Sequence, residues 1–298
     1  MNRRFKSVDT TYLSLDAAEE RGFIHRDYIA HCLRWSHVLK RLAERKAYAS
    51  ARLLDVGCGR EMPLAKSLYS SRYIVEQYLG VDVGPIPDDT IAHFDSGKFP
   101  IRVWERTDVC DLSAEDIGDG LANWVTCFEV LEHVEPLHML KMLAKIRELT
   151  TDDATIFIST PCWNRKDCAD NHVNEMTYES LGAVFEANGL VVDDVYGTFA
   201  SIRDYERELL DAKLSTPVDH NYGVPTRQLF ERLRAYYDTN FLSCVFAPLF
   251  PAQSRNCLWE LRKAPPGGKE RWKFRPLSEC QQPWGSSGLW EDMAGGVK

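Results

Sequence analysis

Hydrophobic positions along the chain change period several times, and each change marks an element. Residues 26–47 carry Ile29, Cys32, Leu33, Ser36, Leu39 and Leu42 at helical spacing, which predicts an amphipathic helix. Strand-like and helix-like runs then alternate. The strand candidates are Arg52–Val56, Tyr78–Asp82, Ile101–Thr107, Trp124–Phe128, Thr155–Ser159 and Leu190–Val195. Between them, Pro63–Ser70, Leu137–Leu149 and Tyr178–Asn188 have helical periodicity, and Thr177 and Gly189 supply start and stop signals for the last of these. Alternation of this kind predicts an α/β fold, a parallel sheet with helices on both faces.

After residue 197 the pattern changes. Helical runs at 202–213 and 226–238 are separated by Pro217 and Gly223-Val224-Pro225. An apolar stretch, Phe241–Phe250, precedes a short strand at Cys257–Leu261. The last 35 residues are rich in Pro and Gly yet hold Trp272, Phe274, Trp284 and Trp290, so part of this tail is expected to lie against the domain. The resulting division is a helical cap over 1–50, an α/β core over 51–197, a helical insertion over 198–254, a last sheet strand over 255–263 and an aromatic-containing tail over 264–298.

Composition adds boundaries to this picture. The chain has 298 residues, 44% hydrophobic and 27% charged, ordinary for a globular protein. Its net charge of −8 argues against a surface built mainly for nucleic acid. The charge is uneven: residues 221–298 hold 11 Lys/Arg against 7 Asp/Glu, leaving 25 against 37 for the rest. No apolar run is long enough to cross a membrane, and the N-terminus lacks an apolar signal region. Nine cysteines include no C-x-x-C pair, so free thiols in a reducing cytoplasm are expected. Oligomeric state is not encoded in any of these features.

The chemistry begins at LLDVGCGR, residues 53–60, a buried strand running through a glycine turn into a helix. Asp55 ends the strand. Gly57 and Gly59 let backbone approach a ligand, and the following helix offers unpaired N–H groups. Asp82, Asp108 and Phe128–Glu129 end neighbouring strand candidates, where open α/β sheets bind ligands. With these residues in place, the chain over about 26–197 resembles the class I S-adenosylmethionine-dependent methyltransferases. The resemblance implies a Rossmann-like, mostly parallel seven-stranded sheet with an antiparallel last pairing. It implies that Asp55, Gly57 and Gly59 line the methionine end of S-adenosylmethionine, that Asp82 holds the ribose, and that Asp108 and the backbone of Val109 hold the adenine. Phe128 belongs to the same set. Glu61 stands where many members have a third glycine, and an acid there either repels the cofactor carboxylate or organises its ammonium. Met62 occupies the third-glycine position of the dinucleotide fingerprint, which disfavours the rival reading as a nicotinamide-dependent oxidoreductase.

A second constellation is FEVLEHVEP, residues 128–136. On one helical turn, Glu129, Glu132 and His133 would share a side, and His172 in DNHVNEM would reach the same mouth. Such a set holds Mg²⁺ or Mn²⁺, or supplies a general base from Glu129 or His133. The segment is similar to that of ubiquinone-biosynthesis O-methyltransferases and, more distantly, small-RNA 2′-O-methyltransferases, which implies O-methylation of a small molecule or an exposed nucleotide hydroxyl. The same residues equally suit a metal-free site in which Glu132 and His133 brace the turn. Pro161-Cys162 follows the fifth strand rather than the fourth, which argues against a nucleophilic cysteine of the cytosine-methylating type. His31 and Trp35 share a face of the first helix and suit a lid. The segment from about 198 to 254, with Arg203, Tyr205, Tyr222, Arg227, Tyr236 and Tyr237, suits a substrate cover, or equally a helical patch that completes the core or a dimer interface. A catalytically silent cofactor-binding module is the expectation from another class.

Overall fold

Seven strands pair into one sheet in the computed structural model, which describes residues 26–71, 74–94, 97–118, 120–166, 168–199, 218–219, 224–225, 232–237, 239–268, 271–281 and 284–290. In chain order they are β1 (Arg52–Val56), β2 (Gln77–Val81), β3 (Ile101–Trp104), β4 (Ala122–Phe128), β5 (Thr150–Pro161), β6 (Leu190–Phe199) and β7 (Asn256–Lys263). Their order across the sheet is β3-β2-β1-β4-β5-β7-β6. The first five strands run parallel, and β7 inserts antiparallel between β5 and β6. The expected Rossmann-like, mostly parallel seven-stranded sheet is the fold observed. After β3 the chain returns to the other side of β1 to start β4. That reversal opens a crevice at the carboxyl ends of β1 and β4, where ligands bind in such sheets.

The central strands are apolar on both faces because helices cover both. One layer packs Leu54, Val56, Val125, Ile156 and Ile158 against α4 (Pro136–Glu148) and α5 (Tyr178–Ala187). Met139, Leu143 and Ile146 recur at helical spacing and are completely buried, each contributing roughly 1.5–3 kcal/mol. The other layer packs Leu53, Tyr78, Trp124 and Phe157 against α1 (Arg26–Glu44) and α2 (Pro63–Ser70). Two further helices, α3 (Asp88–Ala92) and α6 (Thr239–Phe246), complete the helical elements used below.

The base of α1 is pinned electrostatically. Glu260 on β7 is buried and accepts from Arg41 Nε at 2.9 Å and Arg45 Nη2 at 2.6 Å. Burial opposes its charge, but His37, Arg41 and Arg45 hold its carboxyl below the usual range. Removing one partner from such a buried group weakens the compensation of its charge.

The C-terminal segment packs on the sheet's first layer. Trp284 and Trp290 belong to that core, and the backbone N–H groups of Lys273 and Phe274 donate to Glu186 at 2.6 and 3.0 Å. A β-carbon on Gly182 would meet the Phe274 ring at 2.4 Å, so the glycine is what admits the ring.

Boundaries differ from expectation where pairing extends a strand. β5 runs from Thr150 to Pro161 because β7 and β4 supply partners beyond its apolar centre. The apolar run Phe241–Phe250 divides into the end of α6 and a 3-10 turn at Ala247–Leu249. The expected helix at 202–213 lies outside the described residues, as do Arg203, Tyr205, Tyr222 and Arg227. Of the helix expected at 226–238, only Arg232–Tyr237 is described, and it is largely turn. All nine cysteines are free thiols. Among the described residues, no helix is long and apolar enough to cross a membrane.

Gly57 makes a sharp test of this packing. Its φ is +71°, and an added β-carbon would lie 2.3 Å from Val130 Cγ2. Gly57→Ala therefore combines left-handed strain with overpacking, a loss of about 2–4 kcal/mol. Thermal unfolding should show a lowered Tm, and Val130→Ala in the same chain should recover part of it. An unchanged Tm would show that the turn is not held as described.

Candidate active site

The crevice is bordered by four strand ends. At β1, Asp55 is buried, and its carboxylate accepts from the Tyr78 hydroxyl and, at 2.6 Å, from Thr126 Oγ1. Burial pushes its pKa up to about 6, against the pull of those two hydroxyls. Asp55 therefore braces the floor of the turn through side-chain bonds. The chain then reverses: the N–H groups of Gly57 and Cys58 both donate to Val81 O, at 2.8 and 3.2 Å.

The two glycines have different reasons. Gly57 is required by Val130, a protein contact. Gly59, at φ +73°, has nothing within 4 Å of where a β-carbon would stand. It faces open space beside the strand ends. Glu61 is ion-paired with Lys66 at 2.9 Å, so the acid that replaces a third glycine is already charge-compensated. Met62 is buried in a left-handed conformation, φ +47°, and caps the start of α2.

Asp82, just past β2, accepts from Gly59 N at 2.9 Å and Gly84 N at 2.7 Å. It locks the glycine turn and keeps a carboxylate at the mouth. Asp108 caps the 3-10 turn Val109–Asp111 through Cys110 N, at 2.8 Å, and its other oxygen lies 2.7 Å from His138 Nε2 on α4. Val109 is buried beneath, while Phe128 is half-buried against the α1 layer.

The E-x-x-E-H segment departs from expectation. Glu129 has φ +56°, a left-handed residue immediately after β4, and the following turn Leu131–His133 is 3-10. No single α-helical turn carries all three side chains, and the acids part. Glu129 turns toward α1. Arg34, only 1% exposed, pairs with it at 2.8 Å, while Asn256 Nδ2 donates to both its oxygens and Ser159 Oγ to one. Burial opposes ionisation of Glu129, but Arg34, Asn256 and Ser159 together hold its pKa below the usual range. His31 accepts from Arg34 and stacks on Trp35; burial and then the Arg34 charge push the His31 pKa down to about 3, so it is neutral.

Glu132 turns the other way. It is 1% exposed and accepts from Thr160 Oγ1 at 3.1 Å. Burial first, and then the Glu129 charge, push its pKa well above the carboxylate range. A ligand atom each from Glu132, His133 and His172 converges within 4.8 Å, and the two imidazoles meet edge to face with centroids 4.9 Å apart. Three of the four expected ligands are thus brought together, and Glu129 stands apart from them. A second convergence of this kind joins Asp108, Cys110 and His138.

Several contributors escaped sequence reasoning. Arg34 lies one turn after His31 and directly before Trp35, but nothing local distinguishes it from the surface arginines of the same helix. Ser159 reaches Glu129 through the β4–β5 pairing, and Asn256 through the β5–β7 pairing. Glu175 was within reach, since it follows His172 at i+3 in HVNE and bonds it.

A strand order that reverses at β1, a glycine cradle and acids at successive strand ends define an α/β fold that binds a nucleoside-bearing cofactor. A family model described as methyltransferase domain matches residues 25–195, and the chain belongs to that family: it is a class I S-adenosylmethionine-dependent methyltransferase. Solved structures with a similar fold include the methyltransferase domain of bacterial CtHen1-C, 16% identical, with 79% of this chain and 100% of that one covered and a TM-score of 0.46. They also include the 1,6-didemethyltoxoflavin-N1-methyltransferase of Burkholderia thailandensis, 15% identical, with 82% and 92% covered and a TM-score of 0.44. A methyltransferase from Archaeoglobus fulgidus is 21% identical, with 77% and 94% covered and a TM-score of 0.42. No curated protein sequence matches the chain significantly.

Asp82→Ala should weaken S-adenosylhomocysteine binding by about 1.5–3 kcal/mol, because it removes a charged acceptor at the cradle and frees Gly59. Isothermal titration measures the loss. Full affinity in a folded variant would place the cofactor elsewhere.

Proposed function

We propose that the enzyme methylates an oxygen, on a small molecule or an exposed nucleotide hydroxyl, with a divalent cation held by Glu132, His133 and His172. One observation carries this reading. Both imidazoles that converge on Glu132 have Nδ1 committed to an acceptor, His133 to Asn171 O at 3.1 Å and His172 to Glu175 Oε1 at 2.5 Å. That places a proton on Nδ1 of each ring and turns Nε2 away from these acceptors, the arrangement found behind metal-ligating histidines. The buried Glu132 carboxyl beside them, its pKa raised by burial and by the charge of Glu129, would supply an oxygen ligand when a cation arrives. Mixed carboxylate and imidazole donors, with no thiol in the set, suit Mg²⁺ or Mn²⁺.

The cofactor-side residues fit their group. The space at Gly59 admits it, Asp82 presents its acceptor for ribose hydroxyls, Asp108 and the Val109 backbone stand for the adenine, and the Asp55 turn closes the methionine end. S-adenosylmethionine, when bound, supplies an electrophilic methyl group on sulfur. The protein's own work is orientation and proton handling. His133, 40% exposed, is the accessible imidazole and receives the acceptor proton where no cation lowers the hydroxyl pKa. Arg34 and Glu129 lock α1 down and exclude water from the strand ends. Tyr236 and Tyr237, both exposed, suit contact with the acceptor.

Chelation tests the reading. Turnover, measured as S-adenosylhomocysteine release with a panel of metabolite and nucleotide acceptors, should be abolished by EDTA and restored by Mn²⁺ or Mg²⁺. Cofactor affinity should be largely unaffected, and His172→Ala should mimic EDTA. Full activity in EDTA, with no metal in the purified protein, would defeat the metal and leave His133 as the base. No turnover under any condition, despite cofactor binding, would favour a silent binding module.

A further inference from the structure

We infer that Asn174 and the C-terminal residues Ser286 and Trp290 are positioning residues that set the spacing between the two segments carrying Glu132, His133 and His172. The inference rests on the metal reading above and assigns the tail a role within it.

The ligands come from two separate pieces of chain, the 3-10 turn Leu131–His133 and the loop around His172. Asn174, 2% exposed, ties them together. Its backbone N–H and that of Val173 both donate to Glu132 O, at 3.1 and 2.8 Å, and its side-chain Nδ2 donates to Leu131 O at 3.2 Å. An amide has two ends, and the bond to Leu131 holds only if Nδ2 faces it. Trp290 enforces this. Its indole N–H donates to Asn174 Oδ1 at 2.6 Å, so the oxygen faces the tail and the amide nitrogen faces the turn. The indole is itself 2% exposed.

The tail also fixes Glu175, the carboxylate that orients His172. Ser286 Oγ accepts from Glu175 N at 2.8 Å, and Ser286 N donates to Glu175 O at 2.7 Å. Thr177 N donates to Trp284 O at 2.9 Å, continuing the same seam. A β-carbon on Gly285 would stand 2.9 Å from the Trp290 ring and 3.0 Å from Glu175 O, so the close approach depends on that glycine. The contacts form one chain: indole to Asn174 to Leu131, and serine to Glu175 to His172. The bonds through the Asn174 amide are buried and those through Ser286 and Glu175 partly so, and an orphaned donor or acceptor there is costly, which makes the spacing stiff.

The test uses the full chain and Mn²⁺, with free metal read by electron paramagnetic resonance. Trp290→Phe keeps the aromatic packing and removes the N–H. The Mn²⁺ Kd should rise roughly 10–100-fold, as for other losses behind a metal ligand, with S-adenosylhomocysteine affinity unchanged and turnover restored by excess Mn²⁺. Ser286→Ala, which leaves Trp290 in place, should raise the Kd in the same direction and decides the matter if Trp290→Phe fails to fold. Tight Mn²⁺ binding by wild type that neither substitution changes would overturn the positioning role and leave the metal reading intact. No Mn²⁺ binding by wild type would overturn both.

Discussion

The backbone at Glu129 governs the site. Immediately after β4 this residue takes a left-handed conformation, φ +56°, which costs a non-glycine residue on the order of 1–2 kcal/mol. The surroundings over-determine it: Arg34 from α1, Ser159 from β5 and Asn256 from β7 all grip its carboxylate. Three elements distant in sequence thus meet on one side chain. The turn it creates directs Glu129 toward α1 and sends Glu132 and His133 toward the loop of His172. Two nearby carboxylates acquire opposite characters as a result. A buried guanidinium holds the Glu129 carboxyl below its usual range, while burial and the charge of Glu129 push the Glu132 carboxyl well above it.

Such a division is chemically economical. A carboxylate neutralised by arginine closes the helix over the strand ends. In the proposed site, a buried carboxyl with a raised pKa sits beside two oriented imidazoles, a set that a cation would charge and bind. On the cofactor side, Asp82 has a comparable double task, fixing the glycine turn through Gly59 and Gly84 while presenting a carboxylate at the mouth.

Local periodicity made the fold legible. β1 and α2 begin and end where pattern, proline and turn residues placed them, α4 is offset by one residue at each end, and α5 ends one residue early. The acids at strand ends were readable because an α/β sheet gathers successive strand ends into one crevice. What stayed hidden depends on long-range pairing. No sequence spacing shows that Asn256 reaches Glu129, that Val130 dictates the glycine at 57, or that Trp290 fixes the amide of Asn174. The i, i+3, i+4 spacing of Glu129, Glu132 and His133 suggested one helical face. A single positive φ, imposed by tertiary contacts, separates them.

That separation is open to direct measurement. Mn²⁺ stoichiometry and affinity, determined for Glu129→Gln and Glu132→Gln beside wild type, report which acid faces the cation. The geometry predicts one Mn²⁺ per chain in wild type, its loss in Glu132→Gln, and its retention in Glu129→Gln with a lowered Tm from the orphaned Arg34. Loss of the cation in Glu129→Gln with retention in Glu132→Gln would contradict it.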